Sequence, residues 1–398
     1  MKKNFNSELE NISRELFDLY DSCKVSSITS SRFTQAEMLR WLHPFEDQHL
    51  FRKSILGKSA EGREIALYRM GNGPVKAMFW TQMHGDEPTA TMAIIDVFSF
   101  FSKNPEHIVA KTILEKLTLL TIPMLNPDGA GCFTRRNAQM IDVNRDALTL
   151  ATPEARILKD ARDQYQPEYG FNLHDQEPRY TVGITRAITA VALLAPAADE
   201  SRGDNPVRLQ AKKVASTFAQ IMSFFIPDNI AKWDDTFCAN AFGDNIQKWG
   251  TSTVLIESGG WRGDPDKFFI RRLNCVGLLA VLYTIAVGEI GNADVALYEQ
   301  IQFNMKLGCD YIIRNAVLKT NDHIAPIRVD VGINFDKRIN TLTGQIDELA
   351  TIVDIGDLDT LTALEQEVNA DGAELDANLV KIEHPFKANK IKFLLKYM

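Results

Sequence analysis

Two histidines and two carboxylates of this 398-residue chain stand where short apolar runs end. His84 and Glu87 follow the run 75–83, His174 follows 169–173, and Glu257 follows 251–256. Catalytic zinc takes three protein donors, imidazoles and carboxylates among them, and keeps a fourth position open for water or substrate. His84, Glu87 and His174 form such a set, so the chain reads as an enzyme with one zinc ion. The spacing His-x-x-Glu is common and carries little by itself. Its weight comes from His174 and Glu257, which arrive from other runs.

The runs that deliver these residues are rich in β-branched and aromatic side chains. Residues 75–83, 117–125, 169–173 and 251–256 read as strands buried on both faces. Helical patterns lie between them, and Pro88 opens one over 89–97 at a first helical position, where its missing N–H has no helical partner. Strands alternating with helices predict an α/β fold with helices on both faces of a twisted sheet. Ligands of such sheets bind beyond the carboxyl ends of the strands, which is where the four residues fall. Residues 51–56 and 64–70 flank a turn-rich segment and predict two antiparallel strands, so the sheet should be mixed but mostly parallel.

An N-terminal helical cover is expected over 1–50, with a helix over 8–20 and a capping box from Thr34 to Glu37. The catalytic domain is expected over 51–291. It closes with a long apolar-faced helix over 267–287 and a boundary at 288–292. Residues 292–398 then predict a small β-rich accessory domain: a helix near 295–305 and alternating stretches at 324–333 and 346–355.

A net charge of −8, with both signs mixed, gives no basic footprint for nucleic acid. The N-terminus turns acidic before any apolar region, unlike a signal peptide, and no apolar run reaches bilayer length. Five widely spaced cysteines with no C-x-x-C pair predict neither a disulfide framework nor a zinc knuckle. A soluble cytoplasmic protein is the expectation, with no membrane partner; a homo-oligomer stays open.

Around the four residues, further motifs fall in a telling order: Asn126-Pro127-Asp128-Gly129, Arg135, Asp142-Val143-Asn144-Arg145, His174 and Ile256-Glu257-Ser258-Gly259. In this order the chain resembles the M14 family of zinc carboxypeptidases over roughly residues 50–290. The resemblance implies that family's α/β fold and assigns His84, Glu87 and His174 as zinc ligands. It makes Glu257 the general base that takes the proton of the attacking water. Arg135, or its neighbour Arg136, becomes the cation that steadies the oxyanion. Asn144 and Arg145 become the clamp on the substrate's terminal carboxylate, and Asp142 the acceptor that orients His84. The implied substrate is a peptide or small amide with a free carboxylate.

A zinc deacylase of N-acyl amino acids, of the succinylglutamate desuccinylase or aspartoacylase type, shares part of this pattern. So would a peptide-binding relic without activity. Asn126-Pro127-Asp128-Gly129 favours the peptidase, and the complete set of ligands and base disfavours the relic. Several positions depart from the family. Residues 232–250 contain no tyrosine, Asp146 follows the Asn-Arg pair, and Asp175-Gln176 follows His174. Phe242, Gly243, Asp244 and Asn245 are expected near the pocket for the departing residue, with Asp244 suited to a basic side chain or to a turn. His43, His49, His107, His323 and His384 are read as non-catalytic.

Overall fold

Residues with apolar side chains on both faces of a strand must lie inside a covered sheet, and the central sheet of the computed structural model obeys this. The structure describes residues 2–319, 323–339, 346–376 and 386–387. Its strands are β1 (Arg52–Lys58), β2 (Glu64–Met70), β3 (Val75–Thr81), β4 (Leu117–Ile122), β5 (Tyr169–Asp175), the short β6 (Thr181–Val182), β7 (Val191–Leu194), β8 (Ile230–Lys232) and β9 (Ser252–Ser258). Eight of them form one sheet in the order β1-β2-β4-β3-β5-β9-β7-β8. The central run β4-β3-β5-β9 is parallel; β1 and β2 add antiparallel pairs at one edge, and β7 runs antiparallel to β9. The sheet is therefore mixed, and β4, β7 and β9 are buried along their whole length.

The helices are α1 (Lys2–Cys23), α2 (Gln35–Glu46), α3 (Thr89–Lys103), α4 (Ile108–Lys116), α5 (Pro127–Cys132), α6 (Pro153–Tyr165), α7 (Pro206–Ser223), α8 (Phe242–Lys248), α9 (Phe268–Ala286) and α10 (Val295–Glu299). Met78 and Trp80 of β3 pack with Leu158 of α6 and with Phe242 and Ile246 of α8. The alternate residues of β3 point the other way, where Phe79 stacks on Phe171 with ring centroids 4.6 Å apart. On that side α3 and α9 pack together, and α1 lies on α9.

The capping box at α2 forms: Thr34 N–H donates to Glu37 Oε2 at 2.8 Å, and Glu37 N–H to Thr34 Oγ1 at 3.4 Å. Pro88 precedes α3 as its N-cap rather than occupying the first helical position. At 19 residues, α9 is long and apolar enough to cross a bilayer by length and composition, more than the sequence pattern suggested. Most of it is buried inside the protein, as expected of a core helix apolar all round. At its start Arg271 grips Asp96 of α3 through two contacts of 2.6 Å. Tyr20 Oη and Val25 N–H donate to the same carboxylate at 2.7 and 2.8 Å, so this buried cluster ties the end of α1 to the core.

The chain divides into two units. One contains Met1–Gln176, Ala190–Gly259 and Asp264–Asn304; the other contains Glu177–Thr189, Gly260–Gly263 and Met305–Met398. Beyond α10 come β10 (Asn304–Met305), β11 (Gly308–Lys319), β12 (Ile327–Ile339), β13 (Ile346–Gly356), β14 (Thr362–Asn369), β15 (Glu374–Asp376) and β16 (Phe386–Lys387). The second unit is β-rich. Its sheet runs β14-β11-β12-β13-β16, with β15 also paired to β11, over a core of Ile313, Val331, Ile333, Ala350, Ile352 and Leu375. The helix expected near 295–305 stops at Glu299, and β11 appears where no strand was expected. His384 lies outside the described residues.

Candidate metal centre

The loop that follows β3 owes its shape to glycine. A Cβ on Gly85 would lie 2.0 Å from the Gly129 carbonyl carbon, and one on Gly129 would lie 2.4 Å from Asn126 Nδ2. Two backbones can touch there only without side chains. Asn126 closes the contact: its Oδ1 caps Gly129 N–H at 2.8 Å and its Nδ2 donates to Met83 O at 3.3 Å. Asp128 accepts from Ser59 Oγ at 2.7 Å and Glu61 N–H at 2.9 Å. The Asn-Pro-Asp-Gly motif is thus scaffolding that presents residues 84–87.

Glu87 receives both histidines. His84 Nδ1 lies 2.7 Å from Glu87 Oε1, and His174 Nδ1 lies 2.6 Å from Glu87 Oε2. One donor atom from each of the three residues falls within 4.8 Å of the others, and all three side chains are buried. The far nitrogen of His84, Nε2, donates to Asp142 Oδ1 at 3.0 Å, which leaves Nδ1 as the nitrogen available to a cation. Asp142 itself accepts from Asn144 N–H at 2.9 Å and Arg135 Nε at 3.0 Å. Arg135 Nη1 reaches Glu87 Oε1 at 3.2 Å and lies 3.1 Å from His84 Nδ1.

The electrostatics match a site that attracts positive charge. Burial pulls the His84 imidazole down, but Glu87 and Asp142 outweigh it and hold it up at about 9. Burial dominates at His174 and keeps it below the usual imidazole range. Burial also opposes the charge on Glu87 and Asp142, yet the imidazoles beside them hold both carboxyls well below the usual range.

Glu257 enters from β9. Parallel pairing sets His174 opposite Glu257 and Asp175 opposite Ser258, so alternation puts His174 and Glu257 on one face of the sheet. Glu257 is buried, and its Oε2 has no hydrogen-bond partner; neither has His174 Nε2. Burial, then the charge of Glu87, raises the Glu257 carboxyl well above its ordinary value. Buried polar atoms without partners are costly, so a carboxylate oxygen and an imidazole nitrogen left this way beside three converging donors fit a metal site with a proton acceptor.

The remaining expected residues fall nearby in sequence order but differ in setting. Of the two candidate arginines, Arg135 joins the cluster, while Arg136 is exposed and donates to Met140 O at 2.9 Å. Asn144 is buried, and its Oδ1 accepts Phe242 N–H at 2.9 Å, which ties α8 to the segment 142–145. Arg145 is exposed and donates to Asn144 O at 2.8 Å. Asp146, the departure beside it, accepts from Thr152 N–H at 2.7 Å and Thr152 Oγ1 at 2.8 Å at the start of α6. Phe242, Gly243, Asp244 and Asn245 form the buried first turn of α8. Burial pushes the Asp244 carboxyl up to about 6, and its Oδ1 accepts Cys238 N–H at 3.1 Å. Asn137, to which no sequence pattern assigned a role, and Asp175, marked in the sequence only as a departure, also shape the site. Asn137 Oδ1 accepts Gln139 N–H and Ile141 N–H at 3.0 and 3.1 Å, folding the loop between Arg135 and Asp142. Asp175 Oδ2 meets Thr89 Oγ1 at 2.6 Å and Lys267 Nζ at 3.2 Å. His107, read as non-catalytic, caps α4 by accepting Val109 N–H.

Comparisons with known proteins find similarity to zinc carboxypeptidases. Residues 38–176 match the zinc carboxypeptidase family model, Peptidase M14. Carboxypeptidase 2 of Trichophyton rubrum is 29% identical over 271 residues, which cover 67% of this chain and 44% of that protein. A probable carboxypeptidase 2 of Arthroderma benhamiae is 29% identical over 188 residues, covering 44% of this chain and 35% of the relative. The chain thus spans less than half the length of these curated relatives. A metallo-carboxypeptidase of Burkholderia cenocepacia superposes with a TM-score of 0.51 at 16% identity, over 65% of this chain and 70% of that one. Carboxypeptidase A of Helicoverpa armigera gives 0.51 at 14% identity, over 71% and 81%. At those identities the two structures speak to the fold.

Proposed function

We propose that this chain, which belongs to the M14 family of zinc carboxypeptidases, hydrolyses the amide bond next to the free terminal carboxylate of a peptide. The observation that carries the reading is the convergence of His84 Nδ1 and His174 Nδ1 on the two oxygens of Glu87, with Glu257 on the rung beside them.

His84, Glu87 and His174 would hold the zinc. When bound, zinc supplies a Lewis acid that polarises the scissile carbonyl and makes water easier to deprotonate. Glu257 Oε2, buried and unpartnered, accepts the proton of the attacking water and passes it to the departing nitrogen. Arg135, held by Asp142 against the ligands, offers N–H donors where negative charge grows on the carbonyl oxygen. Arg145 receives the terminal carboxylate with its planar fork, and Asn144 fixes the segment that carries it. Asp142 holds His84 in the tautomer that frees Nδ1.

All five cysteines are free, which supports a reducing compartment, the cytoplasm. The test is release of the C-terminal residue from peptides by zinc-loaded protein, with amidated peptides and N-acyl amino acids as alternatives. Glu257→Gln should keep the metal and lose turnover by about 10²- to 10⁴-fold. Turnover that survives this substitution, or that prefers N-acyl amino acids, would overturn the assignment.

A further inference from the structure

The departure from the family pattern after His174, Asp175-Gln176, is engaged by a single cation. On the face of β5 and β9 opposite His174 and Glu257, Lys267 Nζ lies 3.2 Å from Asp175 Oδ2. It donates to Ser258 O at 3.0 Å and to Gln176 O at 3.5 Å. An ammonium has three donors and no acceptor, and here the three acceptors lie at the ends of the two strands that deliver His174 and Glu257.

Asp175 extends the connection to the third strand end. Its Oδ2 also accepts Thr89 Oγ1 at 2.6 Å, two residues past Glu87, and its own N–H donates to Glu87 Oε2 at 3.2 Å. The Lys267 and Asp175 side chains are only 16% and 7% exposed, so neither charge is relieved by water. Lys267 also holds a left-handed backbone, φ 56 and ψ 32, which a side chain adopts only where its surroundings impose it. Asp264 imposes it here by capping Phe268 N–H and Phe269 N–H at 2.8 Å each, which turns residue 267 under the sheet.

Resting on the function proposed above, we propose that Lys267 is a positioning residue that fixes the spacing of His174 and Glu257 by clamping Asp175 and Ser258, the residue after each. It acts through the strand ends and bears on the geometry of proton transfer, where an error of about 1 Å costs on the order of a hundredfold in rate. An ion pair serving stability alone would lower the melting temperature and leave that geometry intact.

Lys267→Met, Lys267→Arg and Ile270→Ala are compared in the full chain loaded with zinc or with cobalt(II). Ile270 is a buried residue of the same helix and controls for lost stability. Lys267→Met should lower kcat by about a hundredfold while KM stays within about threefold and one metal per chain is retained. Its cobalt(II) absorption bands should shift, and Lys267→Arg should restore both readouts. The proposal is overturned if Lys267→Met matches wild type, or matches Ile270→Ala at equal melting temperature, in kcat and in the cobalt spectrum. If wild-type protein cleaves no peptide, the proposed function fails, while the cobalt spectra of wild type and Lys267→Met still decide the role of Lys267.

Discussion

His174 and Glu257 are register partners on adjacent parallel strands, so one rung of the sheet carries both an imidazole for the metal and the carboxylate that serves it. Backbone pairing therefore puts ligand and base on the same rung, and the clamp of Lys267 on the residue after each bears on how that rung is held. Consequences for metal affinity, substrate recognition and stability follow from the partners of these two residues.

Asp142 governs the hold on the metal. It accepts from His84 Nε2 and keeps the imidazole turned towards Glu87 and His174. Asp142→Asn should weaken zinc binding by about 10- to 100-fold with little change in fold. Competition against a chromogenic chelator measures this, and unchanged affinity would remove the orienting role.

Arg145 should discriminate the free C-terminus. Arg145→Met is expected to lower kcat/KM by about 10- to 100-fold on peptides with a free carboxylate, the loss of charge-assisted hydrogen bonds. On amidated peptides, variant and wild type should perform alike. Equal losses on both substrates would mean that Arg145 reads something else.

Gly85 should tolerate no side chain. Its missing Cβ would stand 2.0 Å from the Gly129 backbone, with no flexible group to give way. Gly85→Ala is expected to cost at least about 1–3 kcal/mol and to lower zinc affinity as residues 84–87 shift. Thermal unfolding and zinc titration check both effects; a variant with wild-type melting temperature and zinc affinity would contradict the close packing.

Asp244 makes stability depend on pH in an unusual direction for a carboxyl group. Its folded pKa, pushed by burial to about 6, lies above the unfolded value, so the folded state binds the proton more tightly. The stabilisation is complete below the unfolded pKa and is lost as pH rises through about 6. Asp244→Asn, which stays neutral, should therefore stabilise the protein relative to wild type at pH 8, by up to about 3 kcal/mol, and by about half as much at pH 5. Melting curves at the two pH values suffice, and a gain that is larger at pH 5 would reverse the assignment.

The α/β class and the ends of β3, β5 and β9 were legible because doubly covered strands are continuous apolar runs, and an interrupting His or Glu stands out. The order of motifs pointed to the family, but it could not say why Asn126-Pro127-Asp128-Gly129 matters; only the contact between Gly85 and Gly129 does. Choosing between Arg135 and Arg136 needed the fold, since neighbours in a loop can face opposite ways. Strand β11 escaped notice for a local reason. A bulge between Ile313 and Ala316, with Asn315 at φ 56, breaks the alternation by which a strand is recognised. Lys267 was hidden by distance along the chain, because it lies 92 residues from Asp175. Likewise, no pattern marks residues 177–189 and 260–263 as members of the second unit.

The most direct measurement is a crystal structure of zinc-loaded protein with diffraction recorded on both sides of the zinc absorption edge. One anomalous peak per chain, bounded by His84 Nδ1, His174 Nδ1 and the Glu87 carboxylate with Glu257 beside it unligated, is the expected result. Zinc bound elsewhere, or a saturated protein with no peak between those three side chains, would contradict it.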